Sequence, residues 1–275
     1  MIDMLIEMFS YTFLVRAFIV GLLVSLCASL LGVTLVVKRY SMIGDALSRV
    51  GFSSLAIAVA LNLAPLTLSI PIVVLSAVLL LRLSENSKIK GDSAVALIST
   101  SSLAIGVIIL SQTTGMNTDV CNFMFGSILV MSSSDVVLSI VLSLVVLILF
   151  VLFYNKIFGV TFDENYAKAT GTNTEAYNMI VAILTAITIV LGMRMMGAML
   201  ISSLVIFPAL TSMRVFKNFR SVIISSALIS VICFIIGMMA SYQFATPTGA
   251  SIVVVNIIMF VIFTLINIFR GGMAR

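Results

Sequence analysis

Apolar residues along this chain neither alternate nor keep to one helical face. They run nearly unbroken for about 20 positions at a time, the length of helix that crosses a bilayer. The runs predict nine spans, at about 13–37, 43–63, 66–83, 92–113, 134–155, 177–193, 197–213, 221–241 and 250–269. Between them stand clusters with turn chemistry or charge: "KRYS", "NLAPL", "SENSKIKGD", "TTGMNTD", "RMMG", "KNFRS" and "TPTGA". The breaks at 61–66 and at Arg194 are short, so the pattern fits eight spans as well as nine. A re-entrant segment near 38–45 would change the count without moving the later loops to the other side. A transmembrane barrel would instead show alternating segments of about 10 residues, and lipid cannot satisfy the backbone of open strands. The expected fold class is therefore all-α: a polytopic integral membrane protein with about 8–9 transmembrane helices in a single domain over 1–275.

Small residues recur within the spans at helical spacing. Gly21, Ser25 and Ser29 repeat every four residues in the first, as do Ala28 and Gly32. Such stripes let helix backbones approach closely where lipid supplies no hydrophobic drive. "SSLVIFPALTSM" places Pro208 inside the seventh span, where it removes a backbone donor and bends the helix. That bend reads either as an ordinary kink or as a pore-lining break. The 17 methionines read as flexible core filler.

Composition supports the membrane reading: 61% of residues are hydrophobic, 9% are charged and the mean hydropathy is +1.29. The start, "MIDMLIEMFSYTF", carries Asp3 and Glu7 in place of a basic region, so no cleavable signal is expected. Positive charge assigns the sides. With the N-terminus outside, all of the 15 Lys and Arg except Arg16, Arg49 and Arg194 fall in cytoplasmic segments, and the loops at 114–122 and 242–249 contain none. The net charge of +5 is scattered over loops, which points to the lipid bilayer and not to nucleic acid. Cys27, Cys121 and Cys233 show no metal-ligand spacing, and the two in apolar runs, Cys27 and Cys233, read as small hydrophobes in packed helices.

The chain has no histidine, which excludes a histidine-dependent triad and any histidine-ligated metal. It has no G-x-x-x-x-G-K-[ST] phosphate loop, so it is not expected to hydrolyse a nucleotide by that route, and if it drives transport the energy comes from elsewhere. No catalytic constellation appears, and the chain is not expected to be an enzyme. Two polar features remain. "SMIGDALSRVGF" places Asp45 and Arg49 one turn apart at the start of an apolar run, where each neutralises the other. "VTFDENYAKATGTNTEAYN", residues 160–178, predicts a short helix with acidic Asp163 and Glu164 at its start, Ala167 within it and Gly171 at its end. It reads either as a solvated loop or as a knob that docks into another protein.

Six segments in order carry a resemblance: "GVTLVVKRYSMIGDALSRV", "KGDSAVALISTSSLAIGVIIL", "FMFGSILVMSSSDV", "TFDENYAKATG", "MGAMLISSLVIFPALTS" and "SYQFATPTGASIVVV". With these the chain resembles the permease subunits of the ABC-3 family, bacterial importers of manganese, zinc or iron. The resemblance implies a type II importer-like permease in the bacterial cell (inner) membrane, with no permanently bound cofactor. It also implies a permease homodimer, two ABC ATPase subunits and an extracytoplasmic metal-binding lipoprotein or periplasmic protein. The 160–178 segment becomes the expected coupling element to the ATPase, through Asp163, Glu164, Ala167 and Gly171. Asp45 corresponds to the aspartate of the family's Gly-Asp-Ala-Leu-Ser-His pattern, and Arg49 stands at its histidine.

That departure leaves two readings of the pair open. Arginine is always cationic and cannot ligate a metal. Either Asp45 remains the contact for a transported divalent ion (Mn, Fe or Zn) and Arg49 is a displaceable counter-charge, or the pair is a structural bridge. In the second case the same architecture imports a chelated ion or another small solute. Without histidine, oxygen-preferring Mn²⁺ or Fe²⁺ suits the chain better than Zn²⁺. Ala245 also stands where the family often has an acidic residue. A secondary transporter would need inverted repeats and intramembrane ligands; no repeat is visible, and Asp45 is the one acidic residue expected to be buried.

Overall fold

A computed structural model describes residues 12–86, 91–113 and 133–269. Among these residues the regular structure is entirely helical: α1 (Thr12–Val37), α2 (Ser41–Ala60), α3 (Pro65–Asn86), α4 (Gly91–Thr113), α5 (Ser133–Leu152), α6 (Tyr154–Phe162), α7 (Glu164–Ala169), α8 (Thr174–Met196), α9 (Ala198–Val215), α10 (Phe219–Phe244) and α11 (Thr248–Phe269). Eight of these helices are long and apolar enough to cross a membrane, and the apolar stretch of α9, Leu200–Val215, is shorter. The choice between eight and nine spans thus resolves into eight full-length helices and one short one. Asp3, Glu7, Lys88, Lys90, the 114–122 loop, Cys121, most of "FMFGSILVMSSSDV", Arg270 and Arg275 lie outside the described residues.

The connections are short because the chain closes its own helix ends. At the end of α1, Tyr40 N donates to Leu35 O (2.8 Å) and Arg39 N to Val36 O (3.1 Å), with Arg39 left-handed at φ 61°. This paired closure satisfies orphan carbonyls that lipid would leave bare. It recurs after α2, where Leu63 N reaches Ala58 O (2.9 Å) and Asn62 N reaches Val59 O (3.1 Å). The stretch near 38–45 is therefore a tight turn leading into a full-length helix, not a re-entrant segment.

Burial sorts the helices. In α2, 72% of the span is buried, and in α1 67%, against 11% in α11. α2 packs against α3, α4, α8 and α9, while α1 packs against α5, α8, α9 and α10. Leu47, Val50, Leu80, Ile189, Val190 and Val205 join in the main core between them. Cys27 and Cys233 are buried free thiols, and Cys27 Sγ lies 3.4 Å from Ser143 O, in keeping with a packing role.

The small-residue stripes of α1 are contact surfaces. Ser230 Oγ of α10 donates to Ser25 O (2.9 Å), and Ser226 Oγ lies 3.4 Å from Ser29 O. Against α9 the approach is closer still: a Cβ added at Gly32 would stand 1.9 Å from Val205 O. Gly32→Ala should therefore force α1 and α9 apart and cost about 1–3 kcal/mol. A lower thermal midpoint of the purified protein in detergent is the expected result. Gly159→Ala in α6, where an added Cβ meets nothing within 4 Å, should leave the midpoint unchanged or raise it; equal midpoints for the two variants would count against this contact.

Candidate functional site

The most buried span is also the one that carries Asp45 and Arg49. α2 begins directly after the Lys38–Arg39–Tyr40 turn, and Asp45 follows just over one turn later. Arg49 Nε donates to Asp45 Oδ2 at 3.0 Å, and Ser48 Oγ donates back to Asp45 O at 2.8 Å. The neighbours Ala46, Leu47, Ser48 and Val50 are buried, yet the two charged side chains are 32% and 34% exposed. The pair expected from the i,i+4 spacing forms, and it is half-buried. One carboxylate oxygen is engaged by the guanidinium, so an arriving cation would meet a site already neutralised internally.

A second pair lies deeper. Arg194 Nη2, in the last turn of α8, donates to Asp135 Oδ2 in the first turn of α5 at 2.7 Å. The side chains are only 7% and 16% exposed, and Arg194 Nε is buried with no acceptor among the described residues. Asp135 is thus more buried than Asp45, which corrects the expectation that Asp45 is the one buried acid. The pair joins residues 59 apart in the chain. Its sequence signal was an acid opening one span and an arginine closing another on the same side.

The polar 160–178 segment folds as a compact cap. Asp163, extended at φ −144°, accepts from Tyr166 N at 2.9 Å and so opens α7 as its N-cap. Gly171 closes it at φ +80°, with Gly171 N donating to Lys168 O (3.0 Å) and Thr172 N to Ala167 O (2.9 Å). Only glycine takes that backbone conformation without strain. Asn173 then caps α8 by accepting from Ala176 N at 3.2 Å. Asp163, Glu164, Ala167 and Gly171 are therefore brought together, with one qualification: Ala167 is buried and faces the protein. The surface that α7 offers outward is built from Asn165, Tyr166, Lys168 and Ala169.

Glu164 lies at the junction of that cap with the membrane helices. Its Oε1 is 3.3 Å from Lys168 Nζ and its Oε2 is 4.0 Å from Lys38 Nζ. Burial works against the carboxylate, but the hydrogen bond from Lys168 and the charges of Lys38 and Lys168 outweigh it and hold its pKa below the ordinary glutamate value. Because the folded-state value is lowered, the stability it contributes is present at neutral pH and is lost as pH falls through that value.

Pro208 is buried within α9, and the helix continues through it. It does not end the helix, which runs on to Val215. Among the described residues no group of three or more Cys, Asp or Glu side chains comes together to hold a metal.

The family described as the ABC 3 transport family matches residues 10–267. The high-affinity zinc uptake system membrane protein ZnuB of Haemophilus influenzae is 27% identical over 252 residues, which cover 92% of this chain and 97% of that protein. The manganese import system permease protein ScaB of Streptococcus gordonii is 27% identical over 252 residues, 92% of this chain and 90% of its own. Among solved structures, PsaBC from Streptococcus pneumoniae in complex with Fab superposes with a TM-score of 0.85 at 27% identity, covering 96% of this chain and 95% of that chain.

The capping geometry of α7 yields a direct expectation. Asp163→Ala should remove about 1 kcal/mol of helix stability and raise amide hydrogen exchange across residues 164–170. Asp163→Asn, which keeps a cap acceptor, should leave exchange near the wild-type rate. Exchange in Asp163→Ala as slow as in the wild type would show that α7 is held by its neighbours alone.

Proposed function

The chain belongs to the ABC 3 transport family, and from that premise we propose that it is the membrane-spanning permease subunit of an ATP-driven importer of divalent metal ions. The observation that carries this reading is the similarity to zinc and manganese permeases over nearly the whole length of both chains, joined to a bundle of eight long apolar helices. The sequence contains no phosphate loop, so hydrolysis is assigned to two separate ABC ATPase subunits. A permease homodimer would enclose the path, and an extracytoplasmic metal-binding protein would deliver the ion. The location is the bacterial cell membrane.

In this reading α7, held between the Asp163 cap and the Gly171 closure, docks on the ATPase at the cytoplasmic face. The absence of Lys and Arg between 242 and 249, against their density at 214–220, supports that orientation. In a variant without native cysteines, a cysteine placed at Lys217 should resist an impermeant maleimide on intact cells, and one at Thr246 should be labelled. The reverse pattern would invert the topology and remove α7 from the ATPase side.

Asp45 is assigned the ion contact and Arg49 the counter-charge that the ion displaces. Oxygen ligation by a lone carboxylate favours Mn²⁺ or Fe²⁺ over Zn²⁺. Removing one partner of a fully buried pair costs about 3–5 kcal/mol; at one-third exposure the penalty is smaller, and removing both charges together avoids it. The double variant Asp45→Asn with Arg49→Gln should therefore assemble normally, yet lose Mn²⁺ or Fe²⁺ uptake by about tenfold or more, which is 1.4 kcal/mol or more of barrier. Arg49→His should shift preference toward Zn²⁺. Wild-type uptake in the double-neutral variant would reject the ion-contact role, leaving a structural bridge and favouring an importer of a chelated ion or other small solute.

A further inference from the structure

Two adjacent cations close α1, and they behave in opposite ways. Arg39 is exposed, as expected of a long basic side chain at a membrane edge whose charged head reaches for water. Lys38 turns inward, leaving only 14% of its side chain exposed. An inward ammonium loses hydration, so it is stable there only because groups from other elements replace the water. Lys38 Nζ donates to Asn178 Oδ1, in the first turns of α8, and lies 4.0 Å from Glu164 Oε2 at the start of α7. One side chain just after α1 thus engages both α7 and the helix that follows it.

The position of Lys38 in the chain gives this contact a direction. Lys38 N donates to Thr34 O at 3.1 Å, so the residue is fixed to the last turn of α1. The left-handed Arg39 and Tyr40 follow, and then α2 begins, with Asp45 and Arg49 in its first turns. A displacement of α7 therefore pulls on an ammonium that is covalently continuous with the turn opening the most buried helix. There is also space to respond: a cavity of about 30 Å³ lies beside Lys38, lined among others by Thr34, Tyr40, Thr161 and Ala182. Close-packed interiors seldom leave such a gap.

We propose that Lys38 is the positioning residue that transmits movement of α7 to the Asp45–Arg49 pair, and so couples ATP hydrolysis to passage of the ion. The proposal rests on the reading of α7 as the ATPase-docking helix, but it adds a distinct function: docking needs the outer face of α7, whereas transmission needs its inner contact with α1. Lys38→Met keeps the length of the stem and removes the charge. Lys38→Arg keeps the charge and the reach.

The test is Mn²⁺ taken up per ATP hydrolysed, measured on the full complex in proteoliposomes, with co-purification of the ATPase as a separate readout. Coupling between sites commonly amounts to about 5–150-fold, so Lys38→Met should lower the ratio by about tenfold while the ATPase still co-purifies and hydrolyses ATP. Lys38→Arg should restore most of the ratio, which a purely structural role for the charge-free stem would not require. Glu164→Gln, at a half-exposed side chain, should move the ratio in the same direction by a smaller factor. An unchanged ratio in Lys38→Met overturns the proposal, and so does loss of the ATPase in that variant, because Lys38 would then serve docking or folding. If Lys38→Met fails to reach the membrane, Glu164→Gln decides, and a wild-type ratio there is equally fatal. Gly171→Pro tests the docking reading by itself: loss of co-purification upholds it, whereas unchanged co-purification and uptake remove it together with the transmission proposed here.

Discussion

Hydrocarbon offers no hydrogen bonds, and most of this structure is a response to that constraint. Every span is helical because only a helix satisfies its backbone within one segment. The ends are where that solution fails, since the last carbonyls of each helix lack partners. The chain therefore spends left-handed residues at Arg39, Asn62, Gly171 and Ala245 to fold its ends back on themselves. Tight closure keeps the connections short, and short connections bring α1 directly into α2 and α7 directly into α8. The same solvent removes the hydrophobic drive between helices, so close approach has to come from shape. Gly32 beside the Val205 carbonyl, and Ser25 and Ser29 beside Ser230 and Ser226, are the places where that happens.

Charge in such a molecule is graded by depth. Asp135 and Arg194 are nearly enclosed, pair at 2.7 Å and tie α5 to α8. A pair that deep is costly to open, because each ion separated would be left with little water. Asp45 and Arg49 are about one-third exposed, and Glu164 with Lys168 is more exposed again. Exposed pairs are worth about 0–1 kcal/mol and are easily exchanged. The fixed link thus joins two spans, while the exchangeable ones occupy the start of α2 and the α7 cap, the two places that the proposed function assigns to the ion and to the ATPase.

How much of this the sequence carried depended on the range of the interaction. Span positions, the i,i+4 pair, the Asp163 cap and the Gly171 closure are set by residues within a few positions of one another, and each appears where local chemistry places it. Pro208 was legible as a residue but not in its effect, because tertiary packing decides how far a helix bends. Ala167 was legible as part of α7 but not as its inward face. Asp135 with Arg194, and Lys38 with Glu164, join elements far apart in the chain. Periodicity cannot report such pairs, although helix parity already set the members of each on the same side of the bundle.

If Asp45 is the ion contact, as proposed, Arg49 alters what the path demands of its ion. A histidine there would change its charge near neutral pH and could ligate a metal in its neutral form. The guanidinium does neither, so the pair stays internally neutral, and a cation entering by the proposed contact would have to compete with Arg49 for Asp45. Placed as deep as Asp135 and Arg194, that competition would close the route, because displacing the arginine would strand a charge among apolar side chains. At one-third exposure the displaced guanidinium can be hydrated, and the exchange becomes a contest between two cations for one carboxylate. A divalent ion carries twice the charge and holds the Coulombic advantage. Under the proposed role of Asp45, partial exposure of the pair is therefore the property that would let a permease keep an arginine beside the one carboxylate of α2.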